Sequence, residues 1–197
     1  MHPLRTHISD KVSMTEQEFD LVLDAFKPRR LKKNQLLLRP GEICTADHFV
    51  IGGSLRQYYL DESGKEHVVQ FALENWWISD WSSILSKTAS FYSIEAMEAS
   101  EVLVIGQAQL EILFKQIPAL ESYFRLIFQQ AYAAHQRRIL WLQKPALERY
   151  RYFASVYGYF EQRLPQAQIA SYLGLTRESF SRVKKILRNE HRKTAAD

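Results

Sequence analysis

The stretch from Pro118 to about Gln143 constrains the chain most, because it reads as one long helix. Pro118 suits the first helical position, where a missing N–H costs nothing, and Pro145 breaks the helix at its far end. Leu120, Ile127, Ala134 and Trp141 recur every seven residues, with Phe124 and Ala131 four beyond the first two. This spacing matches a coiled-coil seam of about three heptads. The small side chains of Ala131 and Ala134 let a second helix come close, while polar residues flank them. A homodimer through this helix is the favoured expectation, and packing on the chain's own body is the alternative. The helix divides the chain into residues 1–117, 118–143 and 144–197.

Ahead of the helix the pattern is one of short strands. A first helix is expected near residue 15, capped by Thr15 or Ser13, with Phe19, Val22, Leu23 and Phe26 on one face and Pro28 ending it. From Arg30 to about Ile105, apolar runs at Leu36–Leu38, His48–Ile51, Ser54–Leu60, His67–Phe71, Ser93–Ala96 and Glu101–Ile105 alternate with turns. Pro40-Gly41, Gly52-Gly53 and Asp61–Lys65 supply those turns. Short strands at such spacing indicate an antiparallel barrel or sandwich, so the chain as a whole is expected to be α+β. A short helix, Gln109–Gln116, precedes the long one.

Charge separates the ends. Residues 1–142 carry 15 Lys/Arg and 17 Asp/Glu (15 − 17 = −2), whereas residues 143–197 carry 11 and 5 (11 − 5 = +6). A basic C-terminal module on a slightly acidic body suits a polyanion partner. The sequence also narrows the classes of function. With Cys44 the single cysteine, there is neither an internal disulfide nor the roughly four ligands of an intrachain iron–sulfur cluster. No apolar run reaches the ~20 residues of a membrane span, and the first residues lack a secretory leader, so the cytoplasm is the default compartment. The six histidines form no His-x-His pair, and neither a phosphate loop nor a nucleophile elbow occurs. No metal, cofactor or enzymatic activity is expected.

Residues 164–187 carry the chemistry. Pro165 opens a short helix, Gly174 suits the left-handed residue that ends it, and Thr176 offers a hydroxyl cap to the next helix. Helix, glycine turn, helix is the helix-turn-helix pattern. On a wheel of about 100° per residue, Phe180, Val183, Ile186 and Leu187 gather on one side. Arg177, Glu178, Ser181, Arg182, Lys184, Lys185 and Arg188 fill the other. Arginine can pair with guanine edges and a carboxylate can accept from cytosine. Glu178 equally suits the positive end of a helix dipole.

The run Leu173-Gly174-Leu175-Thr176-Arg177-Glu178-Ser179-Phe180-Ser181-Arg182 resembles the Arg-Glu-x-x-x-Arg recognition helix of the catabolite-activator/fumarate-nitrate regulator (Crp/Fnr) family. Pro40-Gly41-Glu42, Phe49–Leu55 and the Asp61–Glu66 turn resemble that family's β-roll. The resemblance implies a cyclic-nucleotide-binding-type β-roll, a dimerisation helix and a C-terminal helix-turn-helix in a bacterial regulator. It further implies a homodimer that reads a palindromic duplex site, with Arg177, Glu178 and Arg182 at base edges and Thr176, Ser181 and Lys185 beside them. The usual hairpin wing is expected to be reduced or absent, since little chain lies between Phe160 and Pro165 or after Leu187. The family's nucleotide cassette falls on Ser79-Asp80 and Ser90-Phe91, near Trp77, but its phosphate-gripping arginine is missing and no Lys or Arg lies between Lys87 and Lys115. An uncompensated buried phosphate costs several kcal/mol, so cAMP is not expected there. Trp76, Trp77, Trp81, Phe91 and Tyr92 read as core before they read as a pocket for an unknown small effector. A dimeric ligand-sensing β-roll that does not bind DNA is the rival reading.

Overall fold

The computed structural model describes residues 2–194, with side chains as far as Asn189. Helices α1 (Pro3–Ser9) and α2 (Glu16–Ala25) precede eight strands: β1 (Lys27–Leu31), β2 (Leu36–Leu38), β3 (Ala46–Gly52), β4 (Leu55–Leu60), β5 (Glu66–Ala72), β6 (Trp77–Ile78), β7 (Ser93–Ala96) and β8 (Ser100–Gly106). Helix α3 (Trp81–Ser86) lies between β6 and β7. The strands form two antiparallel sheets, ordered β1-β8-β3-β6 and β2-β7-β4-β5. Leu31, Val50, Leu55, Ile78, Ile94 and Val102 make up the core of the roll. Register follows the alternation of side chains: Phe49 faces Leu103 across β3/β8, and Gln57 faces Ile94 across β4/β7. At the β3–β4 turn Gly53 has φ +82°, and a Cβ there would lie 2.3 Å from the Ser100 hydroxyl, so glycine is required.

Thr15 caps α2 as expected, in a reciprocal capping box with Glu18. Pro28 does not end that helix. It sits in edge strand β1 opposite Leu103, where a missing N–H leaves the ladder intact. Helix α1 was not anticipated, yet its Leu4 and Ile8 are fully buried beside Phe19 and Val22.

Asp47 is buried beneath α3 and accepts from Ser79 (2.6 Å) and Gln107 (2.9 Å). Burial outweighs those bonds and pushes its carboxyl up to about 6. Between about pH 4 and pH 6 the unfolded chain therefore ionises here before the folded one. That group's contribution to stability is present below pH 4 and lost as pH rises, by about 3 kcal/mol. Asp47→Asn should flatten the stability profile across this window in urea titrations, and an unchanged slope would contradict the assignment.

Helix α4 (Gln107–Gln116) leads into α5 (Pro118–Leu142), the long helix where it was expected. Its apolar face is turned differently. Leu120 (0% exposed) and Phe124 (3%) belong to the protomer's own core, with Phe124 at 5.0 Å from the Trp77 ring. They are unavailable to a partner, which corrects the first heptads of the expected seam. Further along, Ile127, Ala131 and Ala134 border cavities beneath the helix, and Trp141 stacks on Tyr152 at 4.7 Å. The exposed apolar stripe of α5 is instead Phe128, Tyr132 and Ile139, about a quarter-turn round the helix.

Beyond Pro145 come α6 (Ala146–Tyr157), a 3-10 helix η1 (Gly158–Arg163), α7 (Gln166–Tyr172) and α8 (Arg177–Thr194). Among the described residues no strand follows β8, and η1 occupies the stretch before α7 where a wing hairpin was in question. This C-terminal unit does not hang on a linker. Phe71, Leu73, Val68 and Tyr58 of the roll share one buried cluster with Phe153, Tyr157, Tyr172 and Phe180. The chain boundary at residue 144 is thus crossed by continuous packing.

Candidate nucleic-acid interface

Local chemistry builds the helix-turn-helix. Gly174 adopts φ +63°, and the Leu175 N–H donates back to the Ala170 carbonyl at 2.9 Å, closing α7. Arg149 donates to the Leu173 carbonyl (2.9 Å), tying the turn to α6. Thr176 then accepts from the Ser179 N–H at 3.1 Å, the expected cap of α8. Phe180 and Val183 are buried, Phe180 edge-on to Tyr150 at 5.5 Å. Two positions on the wheel differ from expectation. Ile186 is 46% exposed. Lys184 turns inward to an ion pair with Glu161, whose carboxylate also accepts from Tyr150.

Thr176, Arg177, Glu178, Ser181, Arg182 and Lys185 are all exposed on one side of α8. Among the described residues Arg177, Arg182 and Lys185 make no ion pair. The Glu178 carboxyl is held below the usual range by its own backbone N–H first, then by the Thr176 side chain, with Arg177 and Arg182 adding to it. Those contacts suit a carboxylate at the positive end of a helix, and Glu178 stays exposed on the outer side of α8.

The unit is fastened to the roll by polar contacts that the sequence did not reveal. Arg163 makes a two-bond fork with Glu74 (2.7 and 3.1 Å) and reaches Glu98 at 2.6 Å. The Ser171 hydroxyl donates to the Glu66 carbonyl and accepts from the Val68 N–H. Arg138 of α5 donates to the Tyr172 carbonyl (3.1 Å) and lies over the Tyr172 ring. One signal for Arg138 existed: 138 − 120 = 18 residues is five turns of about 3.6, which puts this arginine on the body-facing side with Leu120.

The expected effector residues come together only in part. Trp77 packs between Phe49 and Phe124 and donates to the Tyr123 hydroxyl at 2.9 Å. Asp80 caps α3 and accepts from Ser90 at 2.6 Å, while Ser79 is spent on Asp47. Phe91 is 85% exposed and lines no cavity wall with them, which corrects its place in that set. A cavity of about 400 Å³ does border Trp77, Ser79 and Asp80, closed on its far side by Ile127, His135 and Arg138 of α5. Among the described residues no group of three His, Cys, Asp or Glu is placed to hold a metal ion, and no helix is long and apolar enough to cross a membrane.

A two-sheet roll, a long helix and a helix-turn-helix with an exposed basic face are the architecture of a transcription regulator. Residues 28–117 match the cyclic nucleotide-binding domain model. The transcriptional activator protein FnrA of Stutzerimonas stutzeri is 28% identical over 187 residues, covering 87% of this chain and 75% of that protein. The fold is similar to FixK2 from Bradyrhizobium japonicum (TM-score 0.70, 20% identity, 84% of this chain and 86% of that one). It is also similar to the Thermus thermophilus catabolite activator protein (TM-score 0.54, 20% identity, 91% and 86%). These likenesses support a transcription regulator of the Crp/Fnr type.

Proposed function

We propose that this regulator binds duplex DNA as a homodimer, each protomer laying α8 in the major groove of one half of a palindromic site. The observation that carries this reading is the division of α8: Phe180 and Val183 are buried, while Arg177, Arg182 and Lys185 are exposed without ion pairs among the described residues. Unpaired cations on a convex helix face suit a polyanion. Arg177 and Arg182 are assigned to guanine edges and Glu178 to a cytosine amine. Thr176, Ser181 and Lys185 are assigned to neighbouring phosphates and sugars. Pairing is assigned to α5, along Phe128, Tyr132 and Ile139. Such a protein works where the DNA is, in the bacterial cytoplasm.

Selecting bound duplexes from a random pool should return two half-sites about one helical turn apart. On that operator Arg177→Ala or Arg182→Ala should cost roughly 1–3 kcal/mol and relax one base position, and affinity should fall steeply with salt. If both variants bind operator and random DNA as the wild type does, the base-reading assignment is wrong. A β-roll module without DNA binding would show no salt-dependent duplex affinity at all.

The cassette positions Asp80 and Ser90 bond to each other and carry no cation. Calorimetry with cAMP should therefore give no heat at this site, and micromolar binding there would overturn the point.

A further inference from the structure

A second cavity, of about 300 Å³, lies under α5 and adjoins the first, sharing Trp77, Ile127, His135 and Arg138 with it but not bordered by the cassette positions Ser79, Asp80 and Ser90. Its walls come from three parts of the chain: Val69 and Gln70 of β5, Gln130 and Ala134 of α5, and Tyr157 and Tyr172 of the C-terminal unit. Trp76 and Trp77 complete an aromatic wall. No Asp or Glu is among the described residues that border it, whereas Arg138 is. That guanidinium is spent only on dipoles, the Tyr172 and Val68 carbonyls at 3.1 and 3.4 Å and the Tyr172 ring. Its Nε hydrogen is buried with no acceptor among the described residues. A half-buried cation without a counter-ion among the described residues, beside flat apolar walls, calls for an anion carried on an aromatic body. Protonation of the two bordering imidazoles, His7 and His135, is disfavoured by partial burial first and then by a neighbouring cation, Lys11 and Arg138 respectively. Arg138 is thus the charge an anion would meet.

We propose that this cavity binds a small aromatic carboxylate of about two rings, its carboxylate on Arg138 and its rings against Trp76, Trp77 and Tyr172. The volume suits such a ligand. Because Arg138 joins α5, β5 and α7, occupancy bears on the seat of the helix-turn-helix; that consequence rests on the DNA-binding reading, whereas the site itself does not. The exposed stripe Phe128, Tyr132 and Ile139 lies at least about a quarter-turn round α5 from Ile127, Ala134 and Arg138, so pairing of two copies along it leaves this flank open.

The test is calorimetry on the full chain without DNA, using 2-naphthoate and its uncharged amide. The acid should bind, and the amide should bind at least about tenfold more weakly, since it lacks the charge-assisted pair. Arg138→Gln should reduce the acid to the level of the amide. Ala134→Phe fills the cavity without touching a charge and should abolish binding of both while thermal unfolding is retained; it decides the matter if Arg138→Gln fails to fold. Ser90→Ala, at a cassette position that does not border this cavity, should leave binding unchanged. Equal binding of acid and amide, no binding of the acid, indifference to Ala134→Phe, or loss on Ser90→Ala would each overturn the proposal. Failure to bind operator DNA would leave it standing and sink only the functional reading above.

Discussion

Phe153→Ala is expected to lower the unfolding free energy by about 3–5 kcal/mol, the usual range for deleting a fully buried phenyl ring. Phe153 is 0% exposed, with its ring 5.0 Å from Tyr157 and 6.0 Å from Tyr172. Those tyrosines also touch Phe71 of β5, so the cavity would open at the joint between the helix-turn-helix unit and the roll. Urea unfolding followed by both fluorescence and circular dichroism reads the effect. Because one cluster spans the joint, the wild type should unfold in a single transition. A loss below about 1 kcal/mol, or a C-terminal unit that melts separately in the wild type, would show that residues 144–197 form an independent domain.

Arg56→Met should be comparably costly. Arg56 is 6% exposed and donates through Nη2 to Glu95 (2.9 Å) and Glu66 (3.0 Å), its guanidinium 4.1 Å over the Tyr58 ring. Glu66 is partly exposed and can return to water, but Glu95 is nearly as buried as its partner. Removing the cation leaves that carboxylate uncompensated, which costs about 3–5 kcal/mol. Replacing the pair together, as Arg56→Met with Glu95→Leu, should restore most of the loss, since two apolar side chains of similar volume need no counter-charge. If the double variant is no better than the single, the cost lies in packing against Tyr58 and not in the stranded charge.

Most of the local architecture was legible in the chain itself. Pro118 and Pro145 bracket α5, Thr15 and Glu18 start α2, and Gly174 with Thr176 makes the turn of the helix-turn-helix. Each works through its own backbone and near neighbours, so a short window of sequence holds the whole cause. Helix α1 and the short strand β6 escaped notice because two or three apolar residues form no period and gain their meaning only from what covers them.

Sequence alone determined where α5 begins and ends, how the turn of the helix-turn-helix is made, most of the residues that share the outer side of α8, and that the C-terminal end is basic, because propensity, capping and periodicity act over a few residues. Only the tertiary structure decided which body covers the apolar face of α5, how Arg138 and Arg163 are spent, and that the helix-turn-helix is seated on β5. A period tells which side chains point the same way. It carries no information about the distant segment that meets them, and that choice belongs to packing across the whole chain.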